Sequence, residues 1–257
     1  MTPLPDLGPL ERVAHEIAAE SGLELGERFD LACRSYVAPA GPDAVLKLTP
    51  PEDDESDEEP DALALWDGDG AVRLLRHDRD RRALLIERAL PGSDIAALPD
   101  DEATAIAVSL GGKLWQPAGR PFRWVGDHVT RWLDNAEKAG ECDPELLALA
   151  RELYDGLEVG RSTLVHGDFH HHNILDAGGR HVVIDPKAML GDPEYDLPSF
   201  LWNPLDHRMR ADVTERRIAA FVAAGLDEGK IRAWTVVRGA YLRGDDPDVV
   251  AVLRSLV

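Results

Sequence analysis

At Leu90-Pro91-Gly92 the hydrophobic pattern of this chain changes period, and that change limits the folds open to it. Before it lie short runs bounded by Gly, Pro or Asp: Leu23–Gly26, Ser35–Ala38, Ala44–Thr49, Ala71–Arg76 and Ala83–Glu87. These predict a small, mostly antiparallel sheet. An amphipathic helix precedes the sheet, because Leu10, Val13, Ala14, Ile17 and Ala18 recur at helical spacing and Ser21-Gly22 ends the pattern. Beyond residue 92 the stripes are helical: Ala103, Ile106, Ala107, Leu110 and Leu114; Val129, Trp132, Leu133 and Ala136; Leu146, Leu149, Ala150, Leu153 and Leu157. Two brief strands, Thr163–Val165 and Val182–Ile184, interrupt them, and helices resume at Leu197–Trp202, Val213–Ala224, Ile231–Tyr241 and Val249–Leu253. The chain reads as α+β and bilobal, with a β-rich lobe over residues 1–90, a mostly helical lobe over 91–257, and a hinge at Leu90-Pro91-Gly92.

Composition narrows the partners. With 28 Lys and Arg against 48 Asp and Glu, the formal charge of −20 repels nucleic-acid phosphates and fits a cationic small molecule better. Cys33 and Cys142 stand far apart with no metal-type spacing, so no disulfide framework is expected and a reducing cytoplasm is. No export signal is expected, and no run of about 18 apolar residues predicts a membrane span. The acidic block Glu52–Glu59 reads as a mobile loop of like charge, after which Pro60 suits the first turn of a helix carrying Leu63, Leu65 and Trp66.

Reactive side chains are densest in Leu164–Leu175, which contains His166-Gly167-Asp168-Phe169-His170-His171-His172-Asn173, and in Val182-Val183-Ile184-Asp185-Pro186-Lys187. Apolar pairs anchor both ends of a polar loop, the arrangement a preorganised site needs. Asp168 and Asn173 lie five positions apart and Asp185 ends the next strand. For phosphoryl transfer such a trio makes chemical sense: one carboxylate takes the proton of an attacking hydroxyl, while a second carboxylate and an amide oxygen hold Mg²⁺ against a triphosphate.

His166-Gly167-Asp168-x-His170-x-x-Asn173 resembles the signature of the aminoglycoside phosphotransferase and choline kinase group, which has a protein-kinase-like fold. The match extends through Ile184–Lys187, Gly191–Asp196, Asn203-Pro204, Ala62–Trp66 and Gly70–Leu75, where the chain is similar to the streptomycin 6-phosphotransferase and hydroxyurea phosphotransferase branch over about residues 22 to 205. The resemblance implies ATP as co-substrate and Mg²⁺ as cofactor. It implies Asp168 as catalytic base, Asn173 and Asp185 as metal ligands, and Lys47, in Ala44–Leu48, as the lysine on the α and β phosphates. The lysine's partner is Glu59 or Glu58; Glu59 has the family spacing, although the following proline disfavours helical geometry there. Main-chain groups near Glu87 and Ala89, in Leu85–Gly92, would meet adenine.

The implied phosphate-covering loop, Glu27–Ser35, contains no glycine, so side chains such as Arg34 or Ser35 would have to replace close backbone approach. The six tryptophans mostly fall on helical stripes and are expected in the core. Asp192, Glu194 and Asp196 offer a site for a cationic substrate, while Asp196 also suits a cap on the helix that begins at Leu197. His166 and His170 are expected to be hydrogen-bonded struts of the loop. The implied activity is ATP-dependent phosphorylation of a small-molecule hydroxyl, with an aminoglycoside such as streptomycin as acceptor. The alternatives are a housekeeping kinase for another hydroxylated metabolite or a hydroxyurea-like compound, and a catalytically silent nucleotide-binding module. The acceptor pocket is expected from the Pro121–Cys142 region and the helices after Asn203.

Overall fold

The computed structural model describes residues 6–30, 34–140, 142–204 and 209–257. In chain order the elements are α1 (Gly8–Ser21), β1 (Tyr36–Pro39), β2 (Ala44–Leu48), α2 (Glu59–Trp66), β3 (Leu74–Asp78), β4 (Ala83–Glu87), α3 (Asp100–Leu114), α4 (Gly126–Ala139) and α5 (Pro144–Asp155). There follow β5 (Thr163–Val165), β6 (Ile174–Asp176), β7 (His181–Val183), β8 (Met189–Gly191), α6 (Leu197–Trp202), α7 (Ala211–Ala223), α8 (Glu228–Leu242) and α9 (Pro247–Ser255). The chain forms two compact units. One holds Met1–Ser93 with Leu175–Asp185, the other Asp94–Ile174 with Pro186–Val257. A single cut at residue 90 therefore misplaces the β6–β7 hairpin, whose Val183 bridges Ala71 and exchanges backbone hydrogen bonds with Gly70 and Val72.

The first unit is built on an antiparallel sheet in the order β1-β2-β4-β3. Its helix α1 covers one face: Ala14 and Ile17 pack with Tyr36, Ala38, Leu46, Leu48 and Ala83 in one apolar cluster. Since successive side chains of a strand point to opposite faces, Lys47, between Leu46 and Leu48, is delivered to the face away from α1. The acidic segment departs from expectation. It forms a 3-10 turn at Asp54–Ser56, Arg82 bonds Asp57 at 2.6 Å and the Asp53 carbonyl at 2.5 Å, and Ser56, Glu58 and Glu59 are buried. A sequence window counts like charges but cannot see the arginine that reaches them from 25 positions further on.

Two other strand limits shift. Leu23–Gly26 contributes a single bridge, Leu25 to Ala40, and β3 begins at Leu74 instead of Ala71. In the second unit helices predominate, around the β5–β8 pair that flanks the segment His166–Lys187. The six residues of α6 are all buried. Strands β6 and β8 were not expected; each has only three residues, too few to show a period. Of the tryptophans, Trp66, Trp202 and Trp234 are buried, but Trp115, Trp124 and Trp132 keep part of their surface exposed. No helix among the described residues is long and apolar enough to cross a membrane.

Candidate active site

In the first unit Lys47 is joined by two acidic residues. Its Nζ lies 2.6 Å from Glu59 Oε2 and 2.5 Å from Asp185 Oδ1. Burial disfavours the ammonium, yet Asp185 and then Glu59 more than offset it and hold the lysine above its ordinary range. Of the two glutamates considered, Glu59 is the partner. Pro60 does not keep Glu59 out of the helix: Glu59 is the first residue of α2 and Pro60 follows inside the first turn, where proline's fixed φ is tolerated and carboxylates favour the helix dipole. Asp185 adopts φ 56°, the left-handed region that non-glycine residues rarely enter, and such strain persists only where neighbours over-determine it. Lys47→Ala is expected to lower the melting temperature, because it removes the buried cation that Glu59 and Asp185 share, checked by thermal denaturation.

Glu87 closes β4. Its carboxylate accepts from Arg180 Nη2 at 2.5 Å and from the Arg73 amide at 3.1 Å. Burial opposes ionisation, but the Arg180 hydrogen bond holds the group below the usual carboxylate range. The side chain is thus committed to the β6–β7 hairpin, and only the main chain of this connector is left for a base. The Ala89 amide and carbonyl make no hydrogen bond among the described residues. Of the segment Glu27–Ser35, expected to cover phosphate, residues 31–33, Cys33 included, lie outside the described residues; Phe29 continues the pairing along β1 through its amide and the Val37 carbonyl.

In the second unit the loop after β5 brings Asp168 and Asn173 together. Asn173 Nδ2 donates to the Asp168 carbonyl at 2.9 Å and to Oδ2 at 3.2 Å, which leaves the amide oxygen available. His170 Nδ1 accepts from the His172 amide at 3.2 Å, which leaves Nε2–H to face Asp168 Oδ2, 3.4 Å away. Burial raises the Asp168 carboxyl, but the His170 hydrogen bond, the charge of His170, His166 and Arg238 bring it below its ordinary value. The result is an ionised carboxylate steadied on one oxygen, able to accept a proton on the other.

The loop backbone is clamped by residues that the motif did not single out for this task. Asp196 is fully buried; its Oδ2 accepts from the His166 amide and from Trp115 Nε1, both at 2.8 Å, and its Oδ1 accepts from the Gly167 amide at 2.7 Å. It makes no side-chain cap on α6, contrary to the helix-cap expectation. Asp192 and Glu194 are likewise buried and engaged, Asp192 by Lys230, Trp234 and the Gly160 amide, Glu194 by the Asp227 amide. None of the three presents a free carboxylate to a cationic substrate. Arg238 donates to the Gly167 carbonyl at 3.0 Å and the Tyr195 carbonyl at 2.8 Å. No local pattern marks it, since it sits 70 positions beyond Asp168 in an apolar helix. Gly167 has φ 82°, and a Cβ there would overlap the Lys187 carbonyl. Gly167→Ala is expected to displace the loop and reduce kcat by more than tenfold, with a lower melting temperature, measured against wild type in the same assay.

Residues 32–242 match the family model described as aminoglycoside/hydroxyurea antibiotic resistance kinase. A streptomycin 6-kinase of Streptomyces glaucescens is 31% identical over 216 residues, covering 77% of this chain and 69% of the relative. A hydroxyurea phosphotransferase of Kitasatospora aureofaciens is 33% identical, over 77% of this chain and 60% of the relative. Among solved structures, a macrolide 2'-phosphotransferase of Brachybacterium faecium superimposes with a TM-score of 0.63 at 19% identity, covering 95% of each chain. The fold is therefore protein-kinase-like, mixed α and β, with a small sheet lobe and a helical remainder, and the enzyme is a phosphotransferase with a hydroxyl acceptor. The chain belongs to the family of aminoglycoside/hydroxyurea antibiotic resistance kinases.

Proposed function

We propose that this enzyme transfers the γ-phosphoryl group of ATP to a hydroxyl of a streptomycin-like aminoglycoside, in the cytoplasm. The observation that carries the reading is the 31% identity to a streptomycin 6-kinase over 77% of the chain. The Asp168–Asn173 pairing and the Lys47–Glu59 ion pair support it, being two parts that phosphoryl transfer requires. A net charge of −20 favours encounter with a polycationic acceptor.

In this reading Asp168 orients the acceptor hydroxyl and takes its proton. Lys47, fixed by Glu59, neutralises the α and β phosphates, and the main chain at Glu87 and Ala89 receives adenine. The Asn173 amide oxygen, left aside by the donation of its NH₂ group to Asp168, and the Asp185 carboxylate are hard oxygen donors of the kind magnesium takes, and in this reading these two residues would hold the ion. When bound, Mg²⁺ supplies charge neutralisation on the triphosphate. The 33% identity to a hydroxyurea phosphotransferase favours a second reading, in which hydroxyurea is the acceptor.

Recording ADP release with ATP, Mg²⁺ and either compound separates the readings. Streptomycin-dependent turnover is the expected result. Turnover with hydroxyurea alone gives the second reading, and nucleotide binding without turnover overturns both.

A further inference from the structure

In the second unit three partly exposed rings form a ladder. His128 and Trp132, four positions apart on α4, stack with centroids 5.4 Å apart and planes at 24°. Trp132 and Tyr241, from the last turn of α8, lie 5.4 Å apart at 33°. Val129 and Leu133 on the same helix are buried, so Trp132 stands at the margin of the core. Arg131 Nη2 lies 3.0 Å from His128 Nδ1, which occupies the edge of the His128 ring and leaves the indole aside.

The ladder is continuous with the loop that carries Asp168. Tyr241 follows Arg238 by three positions on α8, a spacing that puts the two side chains on one side of the helix. Arg238 Nη2 in turn donates to the Gly167 carbonyl at 3.0 Å. One side chain thus separates the end of the ladder from the residue before Asp168. An indole face in this unit already takes a guanidinium, Arg161 lying 3.2 Å from the Trp124 ring centroid.

We infer that His128, Trp132 and Tyr241 form the wall on which the acceptor's cationic ring system stacks while its hydroxyl meets Asp168. The inference rests on the proposed aminoglycoside reading. Aromatic faces attract guanidinium and ammonium groups and offer a flat apolar surface to the C–H face of a saturated ring. The ladder belongs to the same unit as Asp168, whereas Lys47, Glu87 and Ala89 belong to the other, so changing it should act on the acceptor and spare the nucleotide.

The test uses the full chain with streptomycin, a guanidinium-bearing acceptor, and compares wild type with Trp132→Ala, Trp132→Phe and His128→Ala. The expected result for Trp132→Ala is a KM for streptomycin about tenfold higher, with the KM for ATP and kcat within about twofold of wild type. Trp132→Phe should keep most of the affinity, and His128→Ala should lose about threefold. An unchanged streptomycin KM in Trp132→Ala, or an equal rise in the KM for ATP, overturns the inference while leaving the proposed activity standing. Unfolding of both Trp132 variants with a wild-type streptomycin KM in His128→Ala likewise returns the ladder to the core. A wild-type enzyme that neither binds nor phosphorylates streptomycin overturns the activity and the wall together.

Discussion

Asp168→Ala should lower kcat by about 10²- to 10⁴-fold, the range general-base catalysis contributes, while the KM for ATP stays within about twofold of wild type. The division follows from the role proposed for Asp168, which acts on the acceptor and not on the triphosphate. Asp185→Ala is the contrasting variant: it removes the carboxylate proposed to hold Mg²⁺–ATP, which also lies 2.5 Å from Lys47, so nucleotide affinity should fall along with the rate. Equal losses of nucleotide affinity in both would contradict the assignment. The pH profile adds a check whose sign is fixed by the structure. Burial works to raise the Asp168 carboxyl, but His170, His166 and Arg238 set it below its ordinary value, so the folded enzyme keeps the carboxylate ionised where a free aspartate already binds protons. Its contribution to stability is present above the unfolded pKa and lost as the pH falls through the lower folded pKa. The acid limb of kcat/KM assigned to this group should therefore lie below the usual aspartate range, and a limb near neutrality would exclude Asp168 as the base.

What the sequence makes legible follows from the range of each interaction. Asp168 and Asn173 are five residues apart in one loop, so their meeting is a local event that spacing alone anticipates. Lys47 and Glu59 are twelve apart, and the alternation Leu46-Lys47-Leu48 already sends the lysine to the face away from the apolar cluster. The choice between Glu58 and Glu59 was not legible, because it turns on whether the residue before Pro60 enters the helix, and tertiary packing overrides that weak local preference. The acidic block misleads for a related reason: charge density argues for exposure only until a partner such as Arg82 is brought in by folding. Asp196 and Arg238 lie at the far end of this scale, the former read as a cap and the latter not singled out within the helix expected over Ile231–Tyr241. Their actual contacts reach 29 and 71 positions back to Gly167.

The consequence is largest at Asp196, where a residue that touches neither nucleotide nor acceptor in the proposed mechanism should matter about as much to the enzyme's survival as Asp168 does to its rate. Truncation to alanine leaves three donors that were satisfied by one buried carboxylate: the His166 and Gly167 amides and the Trp115 indole N–H. The two amides are buried, and a buried donor left without an acceptor costs about 1–3 kcal/mol, so Asp196→Ala should lose at least about 2 kcal/mol of folding stability. Against the roughly 5–15 kcal/mol typical of a native protein, that loss is severe. Asp196→Asn separates packing from hydrogen bonding. It preserves shape, but its NH₂ group must face either the Gly167 amide or the His166 and Trp115 donors, so one side of the clamp opens whichever way the amide turns. Urea denaturation should accordingly rank wild type above Asp196→Asn and Asp196→Asn above Asp196→Ala. In the fraction of Asp196→Asn that remains folded, kcat should fall more than tenfold while the KM for ATP changes little, because the loop that aims Asp168 is released and Lys47 keeps its own partners. Wild-type stability in Asp196→Ala would mean that the three donors find other acceptors, and that the loop is held by Arg238 and the Lys187 backbone alone.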